Sequence, residues 1–187
     1  LEFRLGSCAE IPLVDHSVDV VVSFETIEHH SEHDAMMREI KRVLIPGGVL
    51  VISSPEKLEY SDIPGYNNPY HVKELYRDEF KSLLDTCFKF HYIAGQRVVY
   101  GSAIFDEEGC SKVRSYDLSD KSLLAVSGIR RPVYLVAVAS DADLPLTESG
   151  ILELPVSDSD AVREGTRQIT NLNQTVTELL AFQHLVI

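Results

Sequence analysis

Apolar residues fill positions 18–24 (Val-Asp-Val-Val-Val-Ser-Phe) and again positions 49–53 (Val-Leu-Val-Ile-Ser) almost without a break. Short, proline-free runs of this kind predict strands buried on both faces, the pattern of a parallel sheet. Between them Ala35, Met36, Ile40, Val43 and Leu44 recur near the helical period, and Pro46-Gly47 halts the segment, which predicts a helix over 34–44. Gly47-Gly48 is read as the turn after that helix, a cap allowing positive φ. The resulting strand–helix–strand unit masses its polar residues just past the first strand: Glu25, Glu28, His29, His30 and His33. Ligands of open α/β sheets bind at that carboxyl edge, so the stretch reads as the edge of an active site. Glu25, Glu28 and His29 stand at i, i+3 and i+4, and on a helix they would share a face and could converge on one ion. His30 and His33 read as solvated residues of a helix start.

The remaining pattern extends the same architecture. Positions 3–5 read as the end of a strand followed by a loop through position 17, and 56–70 as a long Tyr-, Pro- and Asn-containing loop able to wall a substrate. Phe80, Leu83, Leu84 and Cys87 predict a helix over 77–87, and strands are predicted over 88–99 and 132–139 around a polar insertion. From 140 the composition shifts to Asp, Ser, Pro and Glu, so the chain divides into a domain (1–140), an acidic linker (141–160) and a tail helix (161–187). Ile169, Leu172, Val176, Leu179 and Val186 fall on a 3–4 spacing, open to two readings: a coiled-coil contact between copies of the chain, or an amphipathic helix docked on its own domain.

Four motifs, Gly6-Ser7-Cys8-Ala9-Glu10-Ile11-Pro12, Val18-Asp19-Val20-Val21-Val22-Ser23, Glu28-His29 and Arg42-Val43-Leu44-Ile45-Pro46-Gly47-Gly48, resemble in order and spacing the later half of class I S-adenosylmethionine-dependent methyltransferases. The resemblance implies an α/β, Rossmann-like sheet of order 3-2-1-4-5-7-6 with the last strand antiparallel, entered here in strand 3. It implies S-adenosylmethionine as cofactor, with Ser7, Cys8 and Ala9 on the adenine and Ser23 and Phe24 toward the methionine. The family's Gly-rich loop has no counterpart in the sequence, so a piece of a longer domain is expected, binding the cofactor weakly or not at all and inactive by itself. The run Glu25-x-x-Glu28-His29, followed by His71 ahead of Glu74-x-x-Arg77-x-Glu79-Phe80, is similar to the small-RNA terminal 2′-O-methyltransferases, and its first part to ubiquinone-pathway O-methyltransferases. That likeness implies a divalent metal on Glu25, Glu28, His29 and His71. Two carboxylates and two imidazoles suit Mn, Fe, Co or Zn better than Mg. A metal-free alternative stays open, with His29 or His71 as the base.

Charge narrows the acceptor. The chain of 187 residues carries a net −12 spread along its length, which disfavours a polyanionic nucleic acid. Tyr60, Tyr66 and Tyr70 in the 56–70 loop favour a small molecule or glycan. No apolar run approaches the ~20 residues of a membrane span. Cys8, Cys87 and Cys110 lack metal or disulfide spacing and fit a reducing cytoplasm. The sequence therefore points to methyl transfer onto a hydroxyl, against two alternatives: an inactive methyltransferase-like interaction module, and a metal-dependent RNA 2′-O-methyltransferase.

Overall fold

The computed structural model describes residues 2–99, 114–117, 124–144, 149–150 and 160–185. The chain forms two compact units, Leu1–Pro145 and Leu146–Ile187. In the first, strands β1 (Val18–Ser23), β2 (Leu44–Pro55), β3 (Phe90–Gln96) and β6 (Tyr134–Ser140) make one sheet of order β1-β2-β6-β3. β1 and β2 are parallel, and β6 runs antiparallel to both its neighbours. In the family's numbering these are strands 4-5-7-6, in the implied order and with the implied antiparallel strand. Helices α1 (His33–Val43) and α2 (Arg77–Cys87) fill the two connections. A separate hairpin pairs β4 (Arg114–Asp117) with β5 (Leu124–Ser127), inside the segment whose sequence showed no pattern.

Both helices cover the same face of the sheet. Met36, Met37 and Ile40 of α1 and Phe80 and Leu84 of α2 join Leu50, Ile52, Leu135, Ala137 and Ala139 in one buried core. Each such side chain contributes roughly 1.5–3 kcal/mol by leaving water. On the opposite face Val20 and Val22 of β1 remain 52% and 60% exposed, and Phe90 and Tyr92 are exposed on β3 at the far edge of the sheet. The continuous apolar runs thus have cover on one side only among the described residues.

Two expectations need correction. The strand expected over 3–5 does not form, and Phe3 and Leu5 are almost fully exposed. In the family order its hydrogen-bonding neighbour is strand 2, which has no counterpart among the described residues, and a lone strand leaves its backbone unpaired. The second strand also starts earlier than predicted. α1 ends at Val43 with an extended Leu44, which pairs with Val18, whereas Val20 pairs with Val49. Pro46-Gly47-Gly48 is therefore a bulge within β2, not a helix cap. Gly47 supplies φ +78 there, and a side chain on Gly48 would press on the Asp19 carbonyl at 3.0 Å.

The loop before β1 is fastened to α1 by one arginine. Arg42 donates to the carbonyls of Ile11 and Leu13 and to Asp15, and pairs with Glu39, whose carboxylate accepts the Ile11 N–H at 2.8 Å. These bonds hold Glu39 down at about 2.

In the second unit α3 (Asp160–Leu185) leaves Ile169, Leu172 and Val176 exposed. Leu179 and Val186 of its predicted stripe lie outside the residues whose side chains are described, as does Cys110.

Gly95 tests the β3–β6 pairing. A Cβ there would lie 2.7 Å from Pro132 Cβ and 2.9 Å from Ile129 Cγ2. Gly95→Ala should cost about 1–3 kcal/mol of overpacking. The expected reading is a lower urea midpoint with an unchanged slope.

Candidate functional site

The site begins where β1 stops. Glu25 adopts φ +48, a left-handed conformation unusual for a side chain of its size. Ser53, at the end of the neighbouring parallel strand, compensates: its Oγ accepts the Glu25 N–H at 2.9 Å and donates to Glu25 Oε1 at 2.7 Å. Beyond the kink comes one 3₁₀ turn, Ile27–His29. Ile27 is fully buried in the core, and the turn carries Glu28 inward with it, to 1% exposure. The expected helical face of Glu25, Glu28 and His29 does not exist, because the kink at Glu25 precedes a turn of only three residues.

His71 arrives through the backbone. The Glu28 carbonyl accepts the N–H groups of Val72 and Lys73 at 2.8 and 3.1 Å, and His29 Nδ1 donates to the Tyr70 carbonyl at 2.9 Å. These three bonds bind the end of the long loop to the turn. One donor atom from each of Glu28, His29 and His71 lies within 4.8 Å of the others. The two imidazoles meet edge to face at 5.2 Å, and Tyr60 stacks on His71 at 5.3 Å. His29 Nε2 stands 3.8 Å from Glu28 Oε1. Three of the four expected ligands thus come together, and Glu25 is drawn off to Ser53.

Glu28 is the electrostatic anomaly. Both its carboxylate oxygens are buried without a hydrogen-bond partner among the described residues. Burial pushes its pKa up and the Glu25 charge adds to this, opposed by its own amide and the two imidazoles. Tyr134, behind Tyr60, is pushed up to about 12 by burial and by Tyr60, Glu25 and Glu28. The pocket therefore favours positive charge. An unpaired buried carboxylate beside two imidazoles is a donor set that fits a divalent transition metal. His71 meets such an ion only by yielding a bond, since Nδ1 contacts Glu74 and Nε2 contacts Asn68.

The other expected positions are less committed. Ser7, Cys8 and Ala9 form a tight turn in which Ser7 Oγ accepts the Ala9 N–H at 3.1 Å and the Ser7 carbonyl accepts the Glu10 N–H. Of the three, Ser7 lines an open groove with Leu5, Pro12 and Arg42. Ser23 closes β1, and Phe24 projects half-exposed beyond it. His33 is buried, not solvated, and its Nε2 bonds the His30 carbonyl at 2.8 Å. Ser53, Asn68, Glu74 and Tyr134 are parts of the site to which sequence reasoning gave no role. The one available signal was position: Ser53 ends the neighbouring strand, and Asn68 and Glu74 flank His71.

Comparison with known proteins agrees with the fold. Residues 1–52 match the methyltransferase domain family. A Mycolicibacterium smegmatis protein named as a probable S-adenosylmethionine-dependent methyltransferase is 32% identical over 157 residues, 77% of this chain and 60% of the relative. Residues 1–52 thus carry part of a methyltransferase domain, and most of the chain is similar to S-adenosylmethionine-dependent methyltransferases. A similarly named Mycobacterium tuberculosis protein is 44% identical over 87 residues, 45% of this chain and 31% of that one. The chain thus spans less than two thirds of these relatives' length. Among solved structures, a Thermotoga maritima S-adenosylmethionine-dependent methyltransferase matches with TM-score 0.50 at 16% identity, covering 73% of this chain and 62% of that one. A Haloferax volcanii methyltransferase, solved with the Trm112 activator, also matches at TM-score 0.50 and 16% identity, covering 75% and 62%. At this identity the two structures show the fold alone.

Glu28 allows a stability test of its burial in this methyltransferase. Its folded pKa is raised, so its contribution is fully present below the ordinary value of 4.5 and is lost as pH rises through the folded value. In chelator, Glu28→Gln should therefore stabilise the chain near neutral pH by about 1 kcal/mol, and the gain should vanish toward pH 4. Urea midpoints at both pH values check the sign.

Proposed function

We propose that this domain transfers the methyl group of S-adenosylmethionine to a hydroxyl of a small-molecule or glycan acceptor, with Glu28, His29 and His71 managing the hydroxyl proton. The observation that carries the reading is the Glu28 carboxylate, buried and unpaired beside two imidazoles at the carboxyl edge of β1. Buried polar atoms that serve packing alone are almost always hydrogen-bonded. Here the missing partner is matched to a cation or to a proton in transit.

S-adenosylmethionine, when bound, supplies an electrophilic methyl carbon, and a divalent cation on the three donors would lower the pKa of a nearby hydroxyl. The chain's own residues do the positioning. Ser7, Cys8 and Ala9 would meet the adenine, and Ser23 and Phe24 would line the methionine side. The Ser7 hydroxyl keeps a second lone pair for the adenine amino group. His29 is 45% exposed and accessible to an acceptor, with Nδ1 committed to the Tyr70 carbonyl and Nε2 directed at Glu28. Nε2 is therefore the atom that takes the hydroxyl proton, and the Glu28 carboxylate stabilises the imidazolium that results. Tyr60, Tyr66 and Tyr134 pack edge to face, 5.7 Å between ring centres, and form an apolar wall beside the imidazoles that limits water.

A second reading, methyl transfer to an RNA 2′-hydroxyl, is favoured by the grouping of Glu28, His29 and His71, three of the four ligands that the likeness to the RNA enzymes implies. The net charge of −12 weighs against it.

Calorimetric titration of Mn²⁺ into the chelator-treated chain separates metal from imidazole base. One ion should bind, and His71→Ala should weaken it by more than the ~10–100-fold that losing an outer-shell partner costs. Affinity for S-adenosylhomocysteine should not change. Methyl transfer by the complete domain that survives both His29→Ala and His71→Ala would overturn the proposal.

A further inference from the structure

Within the reading just given, we propose that Glu74 is a positioning residue that fixes His71 as the Nδ1–H tautomer and so reserves the Nε2 lone pair for the site. Glu74 Oε1 lies 2.5 Å from His71 Nδ1, and the two side chains are only 9% and 8% exposed. A short contact between a buried carboxylate and a ring nitrogen requires a proton between them, which places it on Nδ1.

The other ring nitrogen gives independent support. Asn68 Oδ1 is occupied by the Tyr70 N–H at 3.1 Å, which turns the amide so that Nδ2 is the atom directed outward. Nδ2 lies 3.0 Å from His71 Nε2 and 3.2 Å from the Tyr60 hydroxyl. An N–H facing Nε2 can be satisfied only if Nε2 is an acceptor. Glu74 and Asn68 therefore select the same tautomer from opposite sides of the ring. Tyr60, stacked at 23° to the imidazole, opposes the ring flip that would exchange the nitrogens.

Glu74 is itself held in register. Its neighbour Leu75 is buried, and the Leu75 carbonyl accepts the Lys57 N–H at 3.1 Å. The loop base thus sets Glu74, Glu74 sets the ring, and Nε2 is left to accept. Asn68 covers that lone pair as a neutral donor, which an incoming cation or hydroxyl proton can replace. Glu74 lies outside the group of Glu28, His29 and His71, so its role is exerted through His71 alone.

Long-range ¹H–¹⁵N correlation of the full chain, labelled at histidine nitrogens and metal-free, reads the tautomer directly. His71 should show a pyrrole-type Nδ1 and a pyridine-type Nε2. Glu74→Ala should bring the two shifts together or exchange them, whereas Glu74→Gln, which keeps an acceptor oxygen, should retain the original pattern. Unchanged His16 and His91 signals show that the variants are folded. In an activity assay of the complete methyltransferase domain, Glu74→Ala should lower methyl transfer ~10–100-fold, with Glu74→Gln recovering most of it. An Nε2–H tautomer in the unmodified chain, or an unaltered tautomer in Glu74→Ala, overturns the proposal. A shifted tautomer with undiminished methyl transfer upholds the role of Glu74 and instead removes His71 from the reaction.

Discussion

Everything at the site depends on the two bonds from the Glu28 carbonyl to the Val72 and Lys73 amides. Glu28 sits on a turn directly after β1, and His71 follows 43 residues later, beyond α1, β2 and most of the long loop. No side-chain pairing crosses that distance as rigidly as main-chain bonds do. With the carbonyl committed to the loop, the side chain of the same residue lies inside the structure, where Ile27 anchors the turn in the core. One residue thus joins the elements with its backbone and leaves its carboxylate facing the imidazole it has brought in. The cost is a buried, unpaired charge, which a bound cation or proton can relieve.

The sheet edge supplies the rigidity this needs. β1 ends with Ser23 beside Ile52 of β2, which runs on to Pro55, so Ser53 stands next to the first residue of the chain to leave β1. Its hydroxyl both accepts from and donates to Glu25, and in doing so it stabilises a left-handed residue that would otherwise be strained. Glu25 therefore acts as the hinge of the turn. At the far side Glu56 has the matching role: its carboxylate accepts the amides of Glu59 and Arg77 and closes the base of the loop carrying Tyr60 and His71. The long loop is fastened at its base and at its end.

How much of this could be read from the sequence follows from the range of each interaction. α2 was legible to the residue, because its apolar stripe is local and its ends are punctuated. β2 was legible only from Val49, since Pro46-Gly47-Gly48 reads as a stop although the chain passes through it as a bulge that pairs Leu44 with Val18. The strand over 3–5 was misread because strand formation depends on a neighbour. The grouping of Glu28, His29 and His71 was legible through the family resemblance, but the spacing of Glu25 suggested a helix that the left-handed kink excludes. Ser53, Asn68 and Glu74 were not legible as site residues: serine, asparagine and glutamate are common, and only tertiary placement distinguishes them.

Charge joins the site to its reaction class. Glu25 and Glu28 lie close enough to influence one another, and both act on Tyr134, so the pocket is negative before any ligand arrives. A sulfonium donor is cationic, as is any metal that could activate an acceptor, and both gain from such a field. A phosphate-rich acceptor meets the same field with the opposite sign, and on a chain of net charge −12 it finds little elsewhere to offset it. The neutral hydroxyl loses its proton most readily where a base is supported by a carboxylate and water is held back. His29 above Glu28, with the Tyr60 wall alongside, is the one place among the described residues where these conditions coincide.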